Sequence, residues 1–119
     1  MEEVCGAKKM SDQFDYVYIE DDLYLRKAWE MVAKKKGIRL LTLSSTMEFE
    51  KHIGAVNKDT TKIYIDSGLG PTDMKGEDFA KLLHDQGYKN LFIATGYEPS
   101  KFANLPWLKY SGKDCPFGD

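Results

Sequence analysis

"IYIDSGLG", residues 63–70, decides how the rest of the chain is read. A β-branched and aromatic run, favoured in strands, ends in Asp66, and a glycine-rich turn follows at once. Alone, an aspartate there is a turn opener, because its carboxylate accepts from backbone amides two residues on. Whether Asp66 is punctuation or chemistry depends on what stands at the ends of the other strands.

Working outward from Asp66, strand-like and helix-like segments take turns. Towards the N-terminus, "YVYIE" (16–20) predicts a strand, and Asp21 and Asp22 open a helix whose Leu25, Ala28, Trp29 and Val32 fall at helical spacing. Behind Lys34, Lys35 and Lys36, which suit the negative end of a helix, Gly37 is expected to stop it. "IRLLTL" (38–43) predicts the second strand, and Ser45 with Glu48 forms a capping-box signature for a second helix. "KIYID" (62–66) is the third strand. Beyond it, "EDFAKLLHDQG" predicts a helix with Phe79, Leu82 and Leu83 on one face, and "NLFIAT" (90–95) predicts the fourth strand. "YEPSKFANLP" has room for only a short helix, and "WLKYS" (107–111) is the fifth strand. Such alternation implies βαβ units, a mostly parallel sheet and helices on both faces.

Composition narrows the function classes. At 119 residues and 42% hydrophobic content the chain is expected to form one domain over residues 15–119, with residues 1–14 as an N-terminal extension or linker. Seventeen basic and 19 acidic residues, net charge −2, are mixed along the chain and make no basic stripe, so nucleic acid is not an expected ligand. No apolar run approaches a membrane span, and "MEEVCGAKKM" is too charged for a secretory leader, so no membrane association and a cytoplasmic location are expected. Cys5 and Cys115 lack CxxC spacing and are expected to be reduced thiols.

In parallel sheets the ligand crevice lies beyond the carboxyl ends of the strands. Those ends carry Glu20 and Asp21, then Asp66, then Thr95, with Lys113 shortly after the fifth strand. Three converging carboxylates repel one another strongly unless a cation sits among them. An oxygen-only shell suits Mg²⁺, or Mn²⁺. Thr95 and Lys113 would then supply a donor and a positive charge for an anionic group beside Asp66, which would be the nucleophile towards a phosphoryl group.

These residues resemble the receiver domain of two-component response regulators. The resemblance rests on "YIEDD" followed by "LYLR", on "IYIDSGLG" followed by "MKGEDFAKLL", on "IATGY", and on "KYSGK" with "PF" close behind, and it covers about residues 15 to 117. It implies a flavodoxin-like, doubly wound five-stranded sheet in the order 2-1-3-4-5. It makes Asp66 the phosphoacceptor, with Glu20 and Asp21 as the acidic pair, aligned through Arg26: Asp21 on the metal directly, Glu20 through water. Gly68 would lend its backbone carbonyl to the metal, Thr95 would be the switch hydroxyl, Lys113 the active-site lysine and Tyr110 the switch aromatic. Asp22 becomes an extra carboxylate beside the pair. Tyr97 and Gly68 lie where family members tune hydrolysis.

The chain departs from that pattern in three places. The "DSGLGPTDMKG" loop is longer than usual. Asp114 and Cys115 stand between Lys113 and "PF", where the family's lysine precedes a proline through a cis bond, which leaves Lys109 as a competing candidate. The sequence ends at Asp119, so the family's final helix is not expected. Several hundred Å² of bare apolar sheet at about 25 cal/mol per Å² would cost several kcal/mol. The segment before Tyr16, a second copy of the chain or a domain of a parent protein is expected to cover it.

The expected function is a phosphorelay switch. A histidine kinase or phosphotransfer protein donates to Asp66, and the acyl phosphate biases two conformations through Thr95 and Tyr110. The chain would then be a stand-alone regulator or part of a hybrid kinase, with no turnover of a separate substrate beyond phosphoryl transfer to its own Asp66. The alternative is a pseudo-receiver that takes no phosphate and serves in docking or dimerisation. A hydrolase with an aspartyl nucleophile is disfavoured, because Gly68 stands where a second acid would be needed. His52 and His84 are read as surface or partly packed residues, and Trp29 and Trp107 as packing residues.

Overall fold

Five short strands, β1 (Tyr16–Ile19), β2 (Leu40–Leu43), β3 (Lys62–Ile65), β4 (Leu91–Ala94) and β5 (Lys109–Ser111), form an all-parallel sheet in the order β2-β1-β3-β4-β5. The computed structural model describes residues 13–117. The order is that of a doubly wound flavodoxin-like fold, as the resemblance implied, and the register sets Tyr18 opposite Tyr64 and Ile65 opposite Ile93. Period-two alternation sorts the strands into two faces. Val17, Ile19, Ile63, Ile65, Leu91 and Ile93 belong to one core cluster, and Tyr18, Tyr64 and Ala94 to the other.

The helices are α1 (Leu23–Lys36), α2 (Thr46–Lys51) and α3 (Gly76–Asp85). Helix α1 covers the aromatic face. Asp22 caps it by accepting from the Tyr24 and Leu25 amides at 2.8 and 3.4 Å, and Gly37 ends it in the left-handed conformation at φ 69°, which only glycine adopts without strain. Trp29 and Ala33 are its buried residues, while Ala28, expected inside, is exposed. The bulky indole fills the gap to the sheet and leaves the short Ala28 side chain outside.

Helices α2 and α3 cover the aliphatic face through Phe49, Phe79, Ala80 and Leu83. Ser45 caps α2 as expected, accepting from the Glu48 amide at 3.3 Å. The reciprocal bond differs: the Glu48 carboxylate takes the Ser44 amide at 2.7 Å and the Ser44 hydroxyl at 3.1 Å. Asp73 adds a long-range cap, accepting from the Thr46 amide at 3.0 Å and hydroxyl at 2.7 Å, and so ties the β3–α3 loop to α2. In α3, Leu82 is 45% exposed, contrary to expectation. At 100° per residue the buried arc runs from Phe79 through Leu83 to Ala80, and Leu82 falls on the far side of Phe79.

Between β4 and β5 the expected short helix is a 3-10 turn, Pro99–Phe102, whose Phe102 joins Leu105 and Leu108 in the core. Among the described residues no helix follows β5. Part of the cover on the aromatic face comes instead from the C-terminal residues: Cys115 and Phe117 pack there, with the Phe117 ring 4.8 Å from Tyr16 and 6.0 Å from Trp29. Lys62 and Lys109 lie over the Tyr16 and Phe92 rings at 5.5 and 5.2 Å, shielding apolar surface with their methylene stems. Residues 1–12 of the expected extension, with Cys5, lie outside the described residues, whereas Phe14 already bonds to the domain through the Ala55 carbonyl. Among the described residues no helix is long and apolar enough to cross a membrane.

Candidate functional site

The strand ends converge as the fold requires. Glu20 follows β1, Asp66 follows β3 and Thr95 follows β4, and all three are buried at 1%, 4% and 2% exposure. Carboxylate oxygens of Glu20, Asp21 and Asp66 lie within 4.8 Å of one another. Lys113 closes the group, its Nζ 2.8 Å from Glu20 Oε1 and 2.5 Å from Asp66 Oδ1. This settles which lysine reaches the acids, since Lys109 lies instead over Phe92 on the sheet face. It does so without a cis peptide bond, none being present among the described residues.

Glu20 is held at every side. Its Oε1 also accepts from the Tyr18 hydroxyl at 3.1 Å, its Oε2 from the Asp22 amide at 3.1 Å, and its backbone carbonyl from Arg26 Nη1 at 2.6 Å. Arg26, which served the sequence reading only to align the acidic pair, thus braces the Glu20 backbone. Asp22 spends its own carboxylate on the α1 amides, so it is a helix cap and not a fourth acid of the site.

The electrostatics follow from burial. Three formal negative charges face one ammonium. Burial pulls the Lys113 ammonium down, but its hydrogen bonds and charge contacts with Asp66 and Glu20 outweigh this and hold it above the usual lysine value. Burial, then the hydrogen bond to and repulsion from Glu20, pushes the Asp21 carboxyl up. Tyr18, desolvated and beside Glu20, is pushed far up, which keeps it a hydrogen-bond donor.

An open cleft of about 360 Å³ lies over these groups, lined by Asp66, Gly68, Thr95, Gly96, Tyr97 and Lys113. It is large enough for a tetrahedral oxyanion. Thr95 Oγ1 accepts from the Tyr97 amide at 3.2 Å, so its own proton is left to donate elsewhere. Tyr110 donates its hydroxyl to the Thr95 carbonyl at 3.2 Å while its ring is 42% exposed, which joins the expected switch pair through the backbone. Gly68 lines the cleft with no positive φ; of the two loop glycines only Gly70, at φ 100° with Asp21 Oδ2 3.6 Å from where a Cβ would sit, needs its conformational freedom.

Four contributors escaped the motif reading. Tyr18 stands two residues before Glu20, so strand alternation puts it on the same face, a signal present in "YIE". Ser67, its hydroxyl donating to Glu77 Oε1 at 2.9 Å, and Gly76, its amide donating to the Ser67 carbonyl at 3.0 Å, pin the start of α3 to the end of β3. Trp29 Nε1 donates to the Lys113 carbonyl at 3.4 Å, a contact across 84 residues that no local pattern could announce. His52 and His84 stand apart from the acids, His52 on the Glu48 carbonyl and His84 stacked on Trp107.

The three oxygen donors fit a hard divalent cation in kind and charge. No protein-family model matches this chain, and no curated protein or solved structure is significantly similar to it.

Proposed function

We propose that this chain is a phosphoacceptor receiver module of a phosphorelay, in which phosphorylation of Asp66 switches protein–protein interactions. The observation that carries the reading is the buried Asp66 carboxylate at the β3 end, bridged by Lys113 to Glu20 and within 4.8 Å of both other acids, under an open cleft. Three acids against one ammonium leave an excess of negative charge that a divalent cation would balance. Mg²⁺ or Mn²⁺ held by Glu20, Asp21 and Asp66, with the Gly68 carbonyl, would neutralise charge on the phosphoryl oxygens.

The chain's own residues do the rest. An Asp66 carboxylate oxygen forms a bond to phosphorus while the bond from phosphorus to the donor breaks, and the electron pair leaves with a phosphohistidine imidazole or a small carboxylate. Lys113 follows the transferred charge onto a phosphoryl oxygen, and the Thr95 hydroxyl donates to another. Moving Thr95 disturbs the bond from Tyr110 to its carbonyl, so the exposed ring changes position and the surface around it changes with the state of Asp66. A histidine kinase or phosphotransfer protein is the natural donor, since it brings a phosphohistidine to the cleft.

A second reading is favoured by the same lysine. Because Lys113 already neutralises part of the acid group, a pseudo-receiver that docks without phosphate is the rival. Incubation with acetyl phosphate, or with beryllofluoride, plus Mg²⁺ separates them. The expected result is a metal-dependent gain of one phosphoryl group by intact mass, absent in Asp66→Asn. Unchanged mass and unchanged spectra with both reagents would favour the docking module.

A further inference from the structure

We propose that Trp29 is a positioning residue for Lys113, holding the lysine's backbone so that its ammonium faces Asp66; this rests on the phosphoacceptor reading above. Lys113 lies beyond the last residue of β5, Ser111, in a segment without regular structure, and its long flexible stem must deliver one charge to two buried acids. Something has to fix the base of that stem. The Trp29 indole donates to the Lys113 carbonyl at 3.4 Å, and core packing alone does not call for a donor aimed at that atom.

The indole is itself aimed by its surroundings. Trp29 is 1% exposed, stacked on Tyr18 with ring centroids 3.5 Å apart and planes 12° apart, and met edge-on by Tyr64 at 5.5 Å and Phe117 at 6.0 Å. Rings locked on both sides leave the N–H one direction in which to point. The Tyr18 hydroxyl meanwhile holds Glu20 Oε1, the same oxygen that receives the Lys113 ammonium. A closed circuit results: Glu20 to Tyr18, Tyr18 stacked on Trp29, Trp29 to the Lys113 backbone, and Lys113 back to Glu20. When the ammonium shifts towards a new anion or yields to a cation, the strain reaches the indole through this circuit.

Two measurements on the full chain test this. In ¹⁵N-labelled protein titrated with Mg²⁺ and then beryllofluoride, the Trp29 indole N–H is expected to shift, whereas the Trp107 indole, in the cluster on the other face of the sheet, stays in place. In Lys113→Met the Trp29 response should shrink to the part that Glu20 transmits through Tyr18, and a response of undiminished size would overturn the assignment. Trp29→Phe keeps a ring on Tyr18 and removes the donor. It should slow acetyl phosphate labelling of Asp66 about 3- to 10-fold, the range set by one hydrogen bond, while Mg²⁺ binds as well or more tightly, because a loosened ammonium competes less with the cation. In the Lys113→Met background the same change should have no effect on labelling.

A structural defect would instead weaken Mg²⁺ binding and labelling together, and equally in both backgrounds; that result overturns the assignment. So does a stationary Trp29 indole while the Asp66 amide moves, which would leave the phosphoacceptor reading intact. If no amide responds to either reagent, the phosphoacceptor reading is refuted and the assignment falls with it. Should Trp29→Phe not fold, the comparison of wild type with Lys113→Met decides by the indole signal alone.

Discussion

Replacing Gly76 by alanine should damage the site from a position that carries no chemistry. Gly76 is the first residue of α3, where Gly→Ala ordinarily gains up to about 1 kcal/mol from helix propensity. Here a Cβ would lie 1.9 Å from the Asp66 carbonyl oxygen, 2.7 Å from its carbon and 3.0 Å from the Ser67 Cα. All of these are backbone, so no side chain can swing away. Restoring contact to about 3.0 Å demands that the β3 end and the α3 start separate by about 1 Å. Overpacking of this kind costs about 1–3 kcal/mol, and set against a propensity gain of up to about 1 kcal/mol the expected net loss is about 0–2 kcal/mol. The same displacement moves the Asp66 carboxylate relative to Lys113, and misplacing a reacting group by about 1 Å can cost about 10²-fold in rate. Urea unfolding measures the first effect and time-resolved acetyl phosphate labelling the second. Gly54→Ala, where a Cβ would meet nothing within 4 Å, is the control. Wild-type stability together with wild-type labelling in Gly76→Ala would refute the claim that this close approach holds Asp66 in place.

Lys113→Met strands Glu20 and Asp66 without their ammonium. Because the lysine side chain is 36% exposed, the loss should be less than the 3–5 kcal/mol of a fully buried pair, about 1–3 kcal/mol, and millimolar Mg²⁺ should raise the variant's melting temperature more than the wild type's. Stability should also fall on the acid side. The Ser44 amide holds the Glu48 carboxyl below its ordinary 4.5. Burial raises the Asp73 carboxyl, but its bonds from Thr46 win and leave it below 3.8. Depressed carboxyls contribute stability that is complete above those ordinary values and is lost as pH falls through the folded ones, so melting temperature against pH should decline below about 4.5. Glu48→Gln or Asp73→Asn should flatten that limb. Asp73→Ala should cost about 1 kcal/mol at neutral pH as a lost cap, read by urea unfolding.

The sequence by itself determined the alternation of elements, the parallel sheet and the convergence of Glu20, Asp21, Asp66 and Thr95 at one edge, whereas the strand order was expected only from the family resemblance. The first three follow from local pattern: β-branched runs, caps such as Asp22, Ser45 and Gly37, and the rule that strand ends share an edge. Motif order also brought Lys113 forward, but its rivalry with Lys109 had no local solution. The contest was decided by β5 register, which pairs Phe92 with Lys109 and so sends that side chain onto the sheet face. Helix phase likewise belonged to the tertiary structure: Ala28 and Leu82 satisfy the apolar period, yet the size of Trp29 and the arc that α3 turns to the sheet leave both outside. Asp22 read both as a helix opener and, through the resemblance, as an extra carboxylate, and the folded chain spends its carboxylate on the amides of α1. The contacts that hold the site rigid, Trp29 on the Lys113 carbonyl and Gly76 against Asp66, join residues far apart in the chain or depend on backbone proximity. Spacing along a sequence reports which residues share an element. Only packing in three dimensions decides which of them meet.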